Sequence, residues 1–180
     1  MHTDSELIAG CKKGDRAMQK ALYDTYAPRL MAVCLRYAGS EEEAEDILQD
    51  AMVKAFKGLE HFREESHLYY WLKRIVINTA LNALRSQVHV LSLNTDKSVA
   101  VVPSWDHFDG YGMDELLVMI QALPTGCRTV FNLYAIEGYK HEEISEKLGI
   151  SVGTSKSQLA RAKTLLQEKL AKEELRSHGS

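Results

Sequence analysis

Hydroxyl, amide and cationic side chains crowd the stretch from Thr154 to Lys163: Thr154, Ser155, Lys156, Ser157, Gln158, Arg161 and Lys163, with Ala160 among them and no carboxylate. Turned at about 100° per residue, the segment places Val152, Ser155, Leu159, Ala162 and Leu166 in a narrow inward stripe. Gly153, Thr154, Ser157, Ala160, Arg161 and Thr164 gather opposite, with Lys156, Gln158 and Lys163 on the flanks. Such a face suits a polyanion. Small residues allow close approach, hydroxyls and backbone amides meet phosphates, and an arginine reaches a guanine edge. Lys156, Ser157, Ala160 and Arg161 are the expected groove-facing residues, with Thr154 and Ser155 near phosphates. An ordinary solvated face would use many of the same residue types, but it would also carry acids.

The elements that must hold this face can be read just upstream. Ile144 and Leu148 lie four residues apart and share one side of a helix. Gly149 supplies the left-handed backbone that ends it, Ile150 fills the corner, and Ser151 is a good N-cap for the helix that follows. This is the grammar of a helix-turn-helix, whose second helix lies in the DNA major groove. A metalloprotease reading fails at the same place: His141-Glu142-Glu143-Ile144-Ser145 has serine where a second histidine ligand belongs. No glycine-rich phosphate loop or nucleophile elbow is present, so no catalytic residue, metal or cofactor is expected.

With 180 residues, 45% hydrophobic and 26% charged, the chain has the composition of a globular protein of one large or two small domains. No apolar run reaches membrane-spanning length and no secretory signal opens the chain, so a cytoplasmic location without membrane insertion is expected. Cys11, Cys34 and Cys127 are odd in number and far apart, which argues against a disulfide framework or a metal cluster. Cys34 and Cys127 read as small core residues. The net charge of −3 is unusual for a protein that binds DNA unaided. Weak affinity for free DNA follows, together with a partner that delivers the chain to its site.

Helical periodicity fills the first half, and the fold class is all-α: two small helical domains joined by a linker. One helix runs from Asp15 past Tyr37, with Pro28 expected to kink it. The next is capped by Ser40 with Glu43 as capping-box partner. It turns Ala44, Ile47, Leu48, Ala51, Ala55 and Leu59 inward and Asp46, Gln49, Asp50, Val53 and Lys57 outward. A loop at 61–66 leads to a third, with Trp71, Leu72, Ile75, Ala80 and Leu84 apolar and Lys73, Arg74, Asn78, Asn82 and Arg85 polar. Residues 88–112 read as a linker, residues 1–87 and 113–180 as the domains. Pro124 and Gly126 separate two further helices before the helix-turn-helix.

At this point the chain resembles an extracytoplasmic-function (ECF) sigma factor of the bacterial sigma-70 family. The resemblance rests on Glu43-Ala44-Glu45-Asp46-Ile47-Leu48-Gln49-Asp50-Ala51-Met52-Val53-Lys54-Ala55-Phe56, on Tyr70-Trp71-Leu72-Lys73-Arg74-Ile75, and on Leu123-Pro124, Arg128-Thr129-Val130-Phe131, Glu137-Gly138-Tyr139 and Gly153-Thr154-Ser155-Lys156-Ser157. It covers nearly the whole chain except the linker. It implies that Asp46, Gln49, Asp50 and Val53 dock on core RNA polymerase. It implies also that Phe62, Arg63 and Ser66, with Lys73, Arg74, Asn78, Asn82 and Arg85, recognise the melted minus-ten promoter strand, one base of which flips out beside the 62–66 loop. The helix-turn-helix would read the minus-thirty-five duplex through Thr154, Ser155, Lys156, Ser157, Gln158, Ala160, Arg161 and Lys163. The implied partners are core polymerase, promoter DNA and an anti-sigma factor. The linker would follow polymerase channels, with Asp96, Asp106 and Asp109 imitating nucleic-acid charge or serving a plain tether. Two departures stand out: Arg85 is followed by Ser86-Gln87-Val88-His89-Val90 rather than by basic residues, and Tyr69-Tyr70 precede Trp71, where smaller or more polar residues are common, which would either alter minus-ten preference or simply thicken the core. Trp71 itself reads as core rather than as a stacking platform.

Three rivals remain. A stand-alone helix-turn-helix regulator explains the last third but leaves the Glu45-to-Phe56 helix without a task, and it calls for tight binding of free DNA. An enzyme lacks a constellation, and a purely structural interaction protein gives no reason for a carboxylate-free face.

Overall fold

The computed structural model describes residues 2–85 and 113–177. The linker at 88–112 and its three aspartates therefore lie outside the described residues. The chain divides into two compact units, Met1–Leu84 and Arg85–Ser180. Every regular element among the described residues is helical, as the periodicity requires.

The first unit opens with α1 (Asp4–Lys12), which the sequence reading had not separated from its surroundings. Thr3 caps it, with the Glu6 carboxylate returning to the Thr3 amide. Next come α2 (Arg16–Tyr37), capped by Asp15, and α3 (Glu41–Gly58), capped by Ser40. The Glu43 carboxylate takes the Gly39 amide instead of the Ser40 amide, so the expected capping box is shifted by one residue. The α2 helix runs through Pro28 without a break; Pro28 is exposed, where water can serve the carbonyl that the proline leaves free. A tight turn at Leu59–His61 leads to the 62–67 loop and α4 (Leu68–Arg85).

The core of this unit is the inner face read from α3 (Ala44, Ile47, Leu48, Ala51, Ala55 and Leu59, with Met52) packed among Leu22, Leu30, Cys34 and Tyr37 of α2. From α4 come Leu68, Leu72, Val76, Ala80 and Leu84. Each such leucine contributes about 2 kcal/mol on burial. The Lys54 ammonium donates to Thr79 Oγ1 (3.2 Å), tying α3 to α4.

The second unit contains α5 (Met113–Gln121), α6 (Thr125–Phe131), a widened helical turn at Asn132–Ile136, α7 (His141–Leu148) and the long α8 (Val152–Ser177). Gly126 falls inside α6 and does not break it; Pro124 alone makes the boundary. Arg128 is buried, and its Nη1 donates to the Gln121 carbonyl (2.9 Å), closing the end of α5 against α6. Cys127, Val130, Phe131, Leu133, Ile144, Leu148, Leu159, Ala162 and Leu166 form the core. α8 packs against α5, α6 and α7.

Candidate polymerase and nucleic-acid interfaces

Along α3 the burial pattern has two sharply different sides. Asp46, Gln49, Asp50 and Val53 are all exposed, Val53 to 52%, while the residues between them fill the core. Val53 is the one large apolar side chain exposed on this outward side of α3. Beside it, Tyr23, Pro28 and Met31 of α2 line a shallow groove together with Glu45, Leu48 and Gln49 of α3.

The second surface lies where the 61–66 loop meets α4. His61, Phe62, Arg63, Glu65, Ser66, Tyr70, Trp71 and Arg74 enclose a cavity of about 510 Å³. Phe62 is buried and its ring lies against Trp71 (centroids 4.8 Å), so these two rings form the floor. Trp71 is half-buried, between the core position expected of it and an open platform. Arg63, Ser66 and Arg74 are exposed at the rim. The loop is pinned from α1: the Lys12 ammonium donates to the Phe62 carbonyl (3.1 Å), and Ser5 Oγ donates to the Glu64 carboxylate (3.4 Å). Glu64 itself adopts φ +57, a left-handed conformation uncommon for a residue with a side chain. Farther along α4, Asn78, Asn82 and Arg85 are exposed on the side away from Leu72, Val76 and Ala80, while Lys73 is half-buried at the edge of the packed side. Tyr70, which the sequence reading did not place in the site, is 62% exposed at the cavity mouth.

The helix-turn-helix forms as its residues dictate. Gly149 takes φ +67, the Gly149 and Ile150 amides both donate to the Ser145 carbonyl (2.9 and 3.2 Å), and Ser151 Oγ accepts from the Thr154 amide (2.9 Å). Lys156 and Arg161 are exposed, Thr154 and Ser157 half-buried. Four expected DNA contacts face inward instead. Ser155 is fully buried, its Oγ 2.9 Å from His141 Nδ1; Gln158 is buried and its Oε1 accepts from Cys127 Sγ (2.9 Å). Ala160 and Lys163 are each 9% exposed, and burial pushes the Lys163 ammonium pKa down. Ser155 belongs to the inward stripe counted from periodicity, and Gln158, on its flank, is drawn in by Cys127 of α6.

His141, half-buried, packs beneath this set. Its ring stacks on Tyr134 (centroids 4.6 Å, interplanar angle 22°), and burial, then the nearby Lys156 charge, pushes its pKa below the ordinary 6.5 despite Glu142. A neutral imidazole bonded to Ser155 therefore supports the start of α8 from beneath.

Comparison with known proteins decides what these surfaces belong to. Residues 22–89 match the family model for sigma-70 region 2, and residues 113–166 match that for sigma-70 region 4. The chain belongs to the sigma-70 family, in its ECF branch. It is 28% identical over 181 residues to the ECF RNA polymerase sigma-E factor of Escherichia coli, covering 93% of this chain and 94% of that one. It is 26% identical over 188 residues to the sigma-E factor of Haemophilus influenzae, covering 93% and 95%. Among solved structures it resembles the sigma factor RpoE of Bartonella quintana, crystallised with the anti-sigma factor NepR: TM-score 0.50, 26% identity, 85% of this chain and 96% of that one. As a sigma factor the chain directs promoter-specific transcription initiation by RNA polymerase. Among the described residues no helix is long and apolar enough to cross a membrane.

Proposed function

We propose that the sigma factor divides its work between its two units. The first, residues 1–87, docks on core RNA polymerase through Asp46, Gln49, Asp50 and Val53 of α3. It receives the melted minus-ten strand at the 61–66 loop, with Arg63 and Ser66, and along α4 at Lys73, Arg74, Asn78, Asn82 and Arg85. The second, residues 113–180, reads the minus-thirty-five duplex with Thr154, Lys156, Ser157 and Arg161, while Ser155, Gln158 and Lys163 support α8 from within. Residues 88–112 join the two. The chain performs no chemistry itself and acts with polymerase in the cytoplasm.

The observation that carries this reading is the cation-rimmed cavity beside α4. A regulator that bound only duplex DNA would have no use for it. A base leaving the stack costs a few kcal/mol, which contacts in such a cavity offset. The Bartonella relative was crystallised with an anti-sigma factor, and a partner of that kind is proposed here too, competing with polymerase for the first unit.

Run-off transcription from fragmented genomic DNA, with bacterial core polymerase in the presence and absence of this protein, tests the whole reading. New transcripts with defined starts are expected. Their absence, with tight duplex binding by the free protein, would return the stand-alone regulator to first place.

A further inference from the structure

The position of Tyr70 points beyond the contacts derived so far. Tyr69 and Tyr70 are adjacent on the first turn of α4 but have different surroundings. Tyr69 is half-buried, with the Arg29 guanidinium 4.0 Å above its ring, so its electron-rich face is already occupied by a cation. Tyr70 meets Tyr69 edge-on at 5.5 Å and His67 at 6.4 Å, yet remains 62% exposed at the mouth of the cavity. It does not thicken the core. The ring is open to water at the cavity mouth, and its surroundings suit one kind of occupant. Arg63 and Arg74, both exposed, line the same cavity as the ring and outweigh the single carboxylate there, Glu65. Aromatic rings set between cations are how proteins hold unpaired nucleic acid: the base stacks and the cations follow its phosphates.

The geometry points to Tyr70 as a stacking platform for an unpaired nucleobase of the non-template strand at the cavity mouth. The inference rests on the minus-ten reading above and deepens it, adding a contact that favours the melted over the paired state. Stacking needs only a π-face, so Tyr70 strengthens strand capture with little regard to base identity, and the phenolic hydroxyl is dispensable. The Tyr69–Arg29 pair anchors the neighbouring position and keeps the platform at the cavity edge.

Holoenzyme reconstituted with wild-type, Tyr70→Ala or Tyr70→Phe protein is titrated with a fork DNA built on a promoter mapped by run-off transcription. The fork is duplex upstream, with the non-template strand unpaired across the minus-ten element. Tyr70→Ala should weaken fork binding roughly tenfold, while Tyr70→Phe stays within about twofold and both variants associate normally with core polymerase. A scan of abasic sites along the overhang adds the decisive comparison. One abasic position should weaken the wild-type complex yet have little further effect with Tyr70→Ala, because ring and base form one interaction. The inference is overturned if Tyr70→Ala binds the fork as wild type does, if Tyr70→Phe fails like Tyr70→Ala, or if every abasic effect is additive with Tyr70→Ala. It also falls if Tyr70→Ala loses core polymerase, since the ring then contacts protein. Failure of the underlying reading looks different: wild-type holoenzyme itself would bind fork no better than blunt duplex.

Discussion

Gly149 sets the angle at which α8 is presented, and its backbone makes a quantitative prediction possible. It sits at φ +67, ψ +33, and a Cβ built there would meet nothing within 4 Å. Gly149→Ala therefore adds no clash, and its cost is that of left-handed backbone alone, about 1–2 kcal/mol. The stiffer unfolded chain of the variant returns about 0.4–1 kcal/mol, leaving a net loss of about 1 kcal/mol. Native-state hydrogen exchange at α7 and α8 amides should show about fivefold lower protection in full-length Gly149→Ala. Gly149→Asn should recover most of it, because asparagine tolerates this conformation. Gly14 supplies the control: at φ +75 with equally open space, Gly14→Ala should lower protection in the first unit by a similar factor and leave α7 and α8 unchanged. Equal protection in wild type and Gly149→Ala would refute the argument, as would an asparagine variant no better than alanine.

Arg161→Ala removes an exposed cation of α8 and should cost about 1–3 kcal/mol in promoter recognition while polymerase binding is spared; equal loss of both would sink the assignment. Ser155→Ala should instead cost about 1 kcal/mol of domain stability by orphaning His141 Nδ1, with the salt dependence of DNA binding unchanged in a titration. Asp50→Lys reverses a charge on the outward side of α3 and should weaken core-polymerase association roughly tenfold, checked by competition between labelled and unlabelled protein; unchanged affinity would remove Asp50 from the docking surface. Asn78→Ala should impair promoter opening more than closed-complex formation, and a normal permanganate footprint would reject that role. Because the His141 pKa is lowered on folding from 6.5, the unfolded chain takes up its proton first. The contribution to stability is thus present above about pH 6.5 and lost as pH falls through the lowered folded value. Exchange protection of α7 should fall as the pH drops below about 6.5, and His141→Gln should flatten that fall.

The outer and inner sides of α3 were legible because every determinant is local: a 3.6-residue repeat, an N-cap and no competing neighbour on the outward face. The Gly149 turn was legible for the same reason. α1 carried its own signal in Thr3-Asp4-Ser5-Glu6, a capping-box spacing that a search for long apolar stripes passes over. What periodicity could not show is the fate of polar residues on a packed helix. Ser155 is held by a histidine 14 residues away and Gln158 by a cysteine 31 residues away. Periodicity alone already turns Ser155 inward, but the fate of Gln158 on its flank depends on a partner from another helix. The cavity was equally hidden, because it arises from the approach of a loop to α4 and from the grip of Lys12 on that loop.

The inward turn of Lys163 sharpens the electrostatic argument. Among the described residues of its first three turns, α8 exposes two cations, Lys156 and Arg161. Each phosphate neutralised contributes close to one unit to the salt slope, so two cations support far weaker binding than the six to ten contacts of a strong repressor. A net charge of −3 works in the same direction, and α3, with Glu41, Glu42, Glu43, Glu45, Asp46 and Asp50, would be repelled by DNA but not by a basic protein surface. Attachment to polymerase resolves the conflict. On the proposed division of work, docking of α3 on polymerase brings the second unit to promoter DNA at an effective concentration of about millimolar, and weak contacts become sufficient. A DNA-facing helix with few cations is therefore an advantage. Free protein is not trapped on the large excess of non-promoter duplex, and recognition is confined to molecules that have already found polymerase.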